Sequence, residues 1–150
     1  MIRKYVSLTS SKLKYLFLLI LIVSCTKKNE ELKAVFTWNF KGANQVCESP
    51  YAEIIMGTYH QIHGENLRSN GIHLYPNDFN VGNYIVDSND TLNNAILVLR
   101  ESLDSVSFVI PSSGNINILK NDNGRLTGDF DLKFDQGYTL TGKFENVEIL

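Results

Sequence analysis

The stretch that decides the fold lies near the C-terminus and has the sequence Leu126-Thr127-Gly128-Asp129-Phe130-Asp131-Leu132-Lys133-Phe134-Asp135-Gln136-Gly137-Tyr138-Thr139-Leu140-Thr141-Gly142-Lys143-Phe144. Its two halves repeat the pattern Leu-Thr-Gly-x-Phe, and the three residues Asp135-Gln136-Gly137 stand between them. Alternating side chains around a three-residue loop that contains glycine are typical of a β-hairpin. The stretch therefore predicts two long antiparallel strands.

The register of this hairpin can be predicted from its side chains. The most consistent register pairs Phe134 with Tyr138, Leu132 with Leu140, Phe130 with Gly142, Gly128 with Phe144 and Asp129 with Lys143. Aromatic rings then cover glycines across the ladder, and the opposite face carries an opposite-charge pair. A shift of one residue would mix the two faces. We therefore predict that the repeated pattern serves to pair the two strands of the hairpin and is not a duplicated binding site.

Upstream of the hairpin, short alternating runs are separated by turn residues. These runs are Ala34–Phe40, Ala52–Tyr59, Gln61–Glu65, Ile72–Tyr75, Asn83–Val86, Ala95–Arg100, Val106–Ile110 and Asn115–Lys120. Thr91–Leu103 also fits a helical period, but its Asn93-Asn94 break and the surrounding strands favour a strand. Residues 34–150 are thus predicted to form an all-β domain, a single antiparallel β-sandwich or partly open barrel of about 8–10 strands.

Residues 1–24 have the composition of a secretory signal peptide. Four basic residues and no acid lie within positions 1–14, and the uncharged apolar run Tyr15–Val23 follows. Nine apolar residues are too few to span a bilayer as a permanent helix. We expect a signal helix over residues 1–24, followed by a flexible tether over residues 25–33.

The end of this segment, Ile22-Val23-Ser24-Cys25, resembles the lipobox of bacterial lipoproteins. With the C-terminal patterns Gly114-x-Ile116-x-Ile118, Leu126-Thr127-Gly128-x-Phe130 and Thr141-Gly142-x-Phe144, the chain looks like the small β-rich lipoproteins of Bacteroidota. The resemblance implies cleavage before Cys25, a diacylglycerol on its thiol and further acylation such as palmitate. The resemblance therefore implies that acylated Cys25 inserts into the lipid bilayer of the outer membrane, and it leaves open which of the two leaflets this is. The resemblance implies no catalytic or ligand-binding residue.

Cleavage before Cys25 changes the charge of the protein. It removes four of the 14 basic residues and none of the 16 acids, which leaves 126 residues with a side-chain charge of −6. A domain this acidic disfavours nucleic acid and anionic lipid headgroups as ligands.

The three histidines, His60, His63 and His73, could form a metal set with Cys47 and Glu65. His60 and His63 are three residues apart on one strand, so their side chains point to opposite faces. The chain also lacks a metal-binding motif. We predict no metal or other cofactor, and expect the histidines to be exposed or at a sheet edge.

Catalytic residues are not evident. Cys47 has no basic neighbour in sequence that would lower its pKa, so we interpret it as a small buried hydrophobe. Asp78, Asp87, Asp90 and Asp104 lie in Asn-rich segments, where such residues usually satisfy turn backbone. We therefore predict that the protein is not an enzyme. A hydrolase that uses loop carboxylates or Cys47 stays as an alternative.

The aromatic residues Trp38, Tyr59, Tyr75 and Tyr84 are the candidate ligand-binding residues, although the same types also build cores. The favoured hypothesis is a membrane-anchored, non-catalytic binding module of the cell envelope whose partner is a protein or a glycan. A lipocalin-like carrier of a small apolar ligand is the other alternative, suggested by the early Trp38 strand.

Overall fold

The computed structural model describes residues 33–66, 69–89, 92–102 and 105–150, without the side chains of residues 101 and 102. The expected signal peptide, Cys25 and nearly all of the tether lie outside this part of the chain, as do Asp90 and Asp104. Within the described ranges no helix is long and apolar enough to cross a membrane.

Eleven β-strands make up the described domain, and no helix occurs among the described residues. The strands are β1 (Val35–Phe40), β2 (Ala43–Cys47), β3 (Tyr51–Ile55), β4 (Tyr59–Gly64), β5 (Gly71–Tyr75), β6 (Gly82–Asp87), β7 (Asn94–Ser102), β8 (Ser105–Val109), β9 (Ser113–Asp122), β10 (Arg125–Lys133) and β11 (Thr139–Ile149). The predicted all-β class is confirmed, with one strand more than the upper end of the expected range.

The strands form one open sheet in the order β6-β9-β10-β11-β3-β4-β5-β7-β8, and β1 and β2 extend from β11. This arrangement is consistent with a β-sandwich or a partly open barrel. All pairs are antiparallel except the short contact of β11 with β3, where Glu148 and Ile149 pair with Tyr51 and Ala52. This parallel contact places β3 and β4, which carry part of the site described below, beside the C-terminal hairpin.

The predicted register of the hairpin is confirmed. Phe130 pairs with Gly142 and Gly128 with Phe144, and the loop glycine Gly137 has a φ of 81°. A bulge between Leu126 and Gly128 shifts the far end of the ladder by one residue.

Asp129 and Lys143 face each other across this hairpin, as predicted, but their charged groups bind other partners. Lys143 pairs instead with Glu145 on its own strand, at 2.9 Å. Asp129 accepts a hydrogen bond of 2.7 Å from Asn117 on β9. The neighbouring strand therefore competes for the carboxylate, a contact that the hairpin sequence alone does not contain.

The core lies on one face of the curved sheet and is rich in aromatic rings. Phe36 stacks on Phe144 at 6.0 Å between ring centroids and lies 5.7 Å from Phe130. Trp38 packs edge-on against Phe36 and is only 2% exposed. The early tryptophan therefore belongs to the core.

Two other predictions concern individual strands. The described part of Thr91–Leu103, residues 92–102, contains strand β7 and no helix, as expected. In contrast, the sequence predicts no strand between Phe40 and Ala52, whereas Ala43–Cys47 forms β2 and only Lys41 and Gly42 form the turn before it. Both have positive φ values, 50° and 81°, which is the geometry of a two-residue hairpin turn. The missed strand β2 is mostly exposed and polar, so it carries no hydrophobic alternation.

Candidate functional site

A polar cluster covers the face of β3, β4, β5 and β7 that is opposite the core. Ala52, Ile62 and Leu74 point into the core and are fully buried. Because successive side chains alternate between faces, their neighbours along the strands point the other way. The cluster consists of Glu53, Gln61, His63, Glu65, His73 and Arg100, joined by side-chain hydrogen bonds.

The centre of this cluster is the amide of Gln61, which is only 5% exposed. Its Nε2 atom lies 2.9 Å from Nδ1 of His73 and 3.4 Å from Nδ1 of His63. The two imidazoles are direct partners across β4 and β5, with ring centroids 4.8 Å apart. One amide group therefore binds two facing histidines at once.

Carboxylates hold the far side of each imidazole. His63 Nε2 lies 2.7 Å from Glu53, and His73 Nε2 lies 2.7 Å from Glu65. Arg100 on β7 also donates a hydrogen bond to the carboxylate of Glu65. A carboxylate accepts a hydrogen bond from Nε2–H, so each Nδ1 carries the lone pair that accepts a hydrogen bond from the amide. This set of contacts matches the Nε2–H tautomer of both rings.

The electrostatics of the cluster agree with this assignment. Burial lowers the pKa of His63 and outweighs the opposite effect of its hydrogen bond to Glu53. Burial acts to raise the pKa of Glu65, but the hydrogen bonds from Arg100 and His73 outweigh it and lower that pKa below its usual value. The network therefore holds a neutral His63 beside an ionised Glu65.

We expect the free energy of unfolding to fall as the pH drops below 6.5, the ordinary pKa of histidine. The unfolded chain takes up a proton at His63 before the folded chain does, so acidification favours unfolding. Stability from this group is present above pH 6.5 and is lost as the pH falls through the lower folded pKa. Urea unfolding at about pH 8 and about pH 5.5 measures the change. His63→Gln should reduce the loss of stability between these two pH values. An equal loss in this variant would contradict the lowered pKa of His63 as its cause.

A cleft of about 670 Å³ borders the polar cluster. It lies where β4 and β7 begin and β5 ends, and it is lined by Thr58, Tyr59, His60, Tyr75, Pro76, Asn77, Leu92, Asn94 and Ile96. Tyr75 connects cleft and cluster, because its hydroxyl lies 3.5 Å from Nδ1 of His73. The walls combine two phenol rings with aliphatic side chains and neutral amides.

The structure brings together two of the four predicted ligand-binding residues. Tyr59 and Tyr75 both line the cleft, and Tyr59 is 64% exposed. Trp38 is buried in the core, because its alternating partners Phe36 and Phe40 form one apolar face of β1. Tyr84 lies outside the cleft lining, where its hydroxyl donates to Asp78 and to the carbonyl of Asn80.

The histidines are neither at an edge nor in solvent. β4 and β5 lie inside the sheet, and the side chains of His63 and His73 are 14% and 18% exposed. His60 does point away from His63, as the spacing predicts, and its ring packs edge-on against Phe79 at 4.7 Å. In the described ranges no three His, Cys, Asp or Glu side chains are placed to hold a metal.

The loop acids inside the described ranges bind turn backbone. Asp78 accepts from the amide of Asn80 at 2.7 Å, and Asp87 accepts from the amide of Asn89 at 2.9 Å. These are the local hydrogen bonds by which aspartates stabilise turns.

Cys47 is 1% exposed, and burial raises the pKa of its thiol. We therefore expect native protein carrying Cys25→Ser to react with iodoacetamide at least about ten times more slowly than the same protein in urea, because only opened molecules expose the thiol. Mass spectrometry of the alkylated chain measures the two rates. Equal rates would show that Cys47 is accessible in the folded state.

The sequence did not reveal Glu53, Gln61 and Arg100 as parts of a site. The available signal was the run of polar residues at alternate positions of Tyr59–Glu65, inside what is otherwise an apolar sheet. Comparisons of the chain with protein-family models, with curated proteins and with solved structures found no match. The function is therefore argued from the geometry of the site.

Proposed function

We propose that the protein is a lipid-anchored binding module of the cell envelope, and that its β domain binds a neutral glycan in the cleft beside Tyr59 and Tyr75. The observation that carries this proposal is the pairing of these two phenol rings in one concave site of ligand size. The lipobox-like end of the N-terminal segment supports the anchor, since acyl chains on Cys25 would hold the domain at a membrane.

The chemistry of the cleft fits a sugar ring better than an ion. Among the described residues that line it there is no Asp, Glu, Lys or Arg. Aromatic and aliphatic walls suit the apolar face of a pyranose, and the amides of Asn77 and Asn94 suit its hydroxyl groups.

Binding is tested on the full-length chain carrying Cys25→Ser, by calorimetric titration with maltohexaose, cellohexaose and chitohexaose. We expect at least one of these neutral oligosaccharides to bind, and Tyr59→Ala to weaken binding about tenfold or more, because an exposed ring at a binding site contributes its contact directly. Leu119→Ala is the matched control: it truncates a 60% exposed apolar side chain on β9, away from the cleft. Equal losses in both variants, or no binding to any of the three, would contradict the proposal.

The anchor is tested separately by growing cells with labelled palmitate. The full-length protein should incorporate the label, and Cys25→Ala should not, because the thiol is the acceptor of the lipid. Retention of label in this variant would contradict the assignment of Cys25.

The carrier hypothesis predicts a different ligand preference, which a parallel titration with a fluorescent fatty acid measures. A lipocalin-like protein would take up a fluorescent fatty acid and ignore oligosaccharides. The packed rings of Phe36, Phe130 and Phe144 favour the glycan-binding cleft over an internal site for such a ligand.

A further inference from the structure

The two cluster histidines present their free nitrogen atoms to a single point. Nδ1 of His63 and Nδ1 of His73 both face the amide of Gln61, at 3.4 Å and 2.9 Å from its nitrogen. Both Nδ1 atoms carry lone pairs, because each Nε2–H is held by a carboxylate. An imidazole whose second nitrogen donates to a carboxylate is the arrangement that orients histidine toward a metal ion.

The spacing of the rings suits one shared ion. Two imidazoles on a tetrahedral zinc, with metal–nitrogen distances of about 2.0–2.1 Å, have ring centroids about 5 Å apart. The centroids of His63 and His73 are 4.8 Å apart, with their planes at 56°. A modest rotation of the side chains would therefore let both Nδ1 atoms reach the same ion.

Gln61 can serve as a third ligand. Its amide donates to the two histidines through nitrogen, and a half-turn of the amide would present the carbonyl oxygen to the same point. The hydroxyl of Tyr75, 3.5 Å from Nδ1 of His73, is placed near a fourth position that water could also fill. The ligand set is then two nitrogens and one or two neutral oxygens.

We propose that His63, His73 and Gln61 form a binding site for a borderline divalent cation such as Zn²⁺ or Cu²⁺. Imidazole ligands select these ions over Ca²⁺ and Mg²⁺, which prefer oxygen. The charge balance agrees, because Glu53 and Glu65 outnumber the guanidinium of Arg100 in the cluster. The histidines also keep partial contact with solvent, which gives the ion a path in.

The test is a calorimetric titration of the full-length chain carrying Cys25→Ser with ZnCl₂, repeated with CoCl₂ and read by visible absorption. We expect one ion per chain and a tetrahedral cobalt spectrum. His73→Ala should weaken binding by about tenfold or more. Glu65→Gln should weaken it by about 10–100-fold, because it replaces the charged acceptor that orients the ring of His73 with a weaker neutral one. Glu145→Gln is the matched control for Glu65→Gln and should bind as the parent does, since Glu145 lies on β11 and pairs with Lys143 outside the cluster.

Gln61→Glu is the variant for which a gain of zinc binding is expected, and an unfolded protein would not give a gain. A carboxylate at this position supplies a stronger ligand than the amide, so this variant should bind zinc more tightly than the parent. No binding by the parent chain overturns the proposal, even if Gln61→Glu binds. Equal affinity of the parent and His73→Ala overturns it as well, because the ion then lies elsewhere.

Discussion

Phe144→Ala is expected to lower the free energy of unfolding by about 3–5 kcal/mol, one of the largest single losses available in this domain. Phe144 has no exposed surface and stacks on Phe36 at the centre of the core. Its ring also covers Gly128 on the paired strand. Truncation removes buried apolar area and leaves a cavity that the neighbouring strands cannot close.

The matched control for this experiment is Phe108→Ala. Phe108 lies on β8 at one end of the sheet and is 69% exposed, so its truncation should change stability by no more than about 0.5 kcal/mol. Urea unfolding of both variants measures the difference. Similar losses at the two positions would contradict the core assignment.

Gly142→Ala is expected to lower the free energy of unfolding by about 2–3 kcal/mol through the addition of one methyl group. A Cβ atom at this position would lie 2.3 Å from Cζ of Phe130 and 2.5 Å from the backbone oxygen of Thr37. The ring has some freedom to move, but the oxygen belongs to the ladder between β1 and β11. Overpacking of this kind forces backbone shifts that the sheet resists.

A second glycine separates this effect from the general cost of replacing glycine. Gly82 on edge strand β6 would place its Cβ no closer than 3.9 Å to a neighbouring atom. Gly82→Ala should therefore be nearly neutral or slightly stabilising. If both substitutions had the same effect on urea unfolding, close packing at Gly142 would not be the cause.

The hairpin could be predicted from the sequence because its information is local. Phe130 and Gly142 are partners across one short loop, and a single register satisfies both faces. Strand β2 could not be predicted, because Ala43–Cys47 is a polar strand that pairs only with β1 and buries little apart from Cys47. The short parallel contact of β11 with β3 could not be predicted from the sequence either, since it joins residues far apart in the chain.

In the candidate site, too, the sequence predicts what depends on one strand and does not predict what depends on how strands align. The spacing of His60 and His63 correctly predicts opposite faces, because the strand period decides it. The pairing of His63 with His73 depends on how β4 and β5 align, which residue spacing does not specify. Arg100 reaches Glu65 only because β7 lies beside β5 in the sheet order. Tyrosine is common both in cores and in binding sites, so only the structure could show that Tyr59 and Tyr75 line a cleft.

The central claim is that the cleft beside Tyr59 and Tyr75 is the ligand-binding site. Its most direct test is an amide NMR spectrum of the ¹⁵N-labelled full-length Cys25→Ser chain, recorded during titration with the oligosaccharide that binds in calorimetry. We expect the largest shifts at the cleft-lining residues Thr58, Tyr59, Tyr75, Asn77 and Asn94. Shifts confined to β6 and β9, or to β1 and β2, would place the ligand elsewhere on the domain and contradict the account.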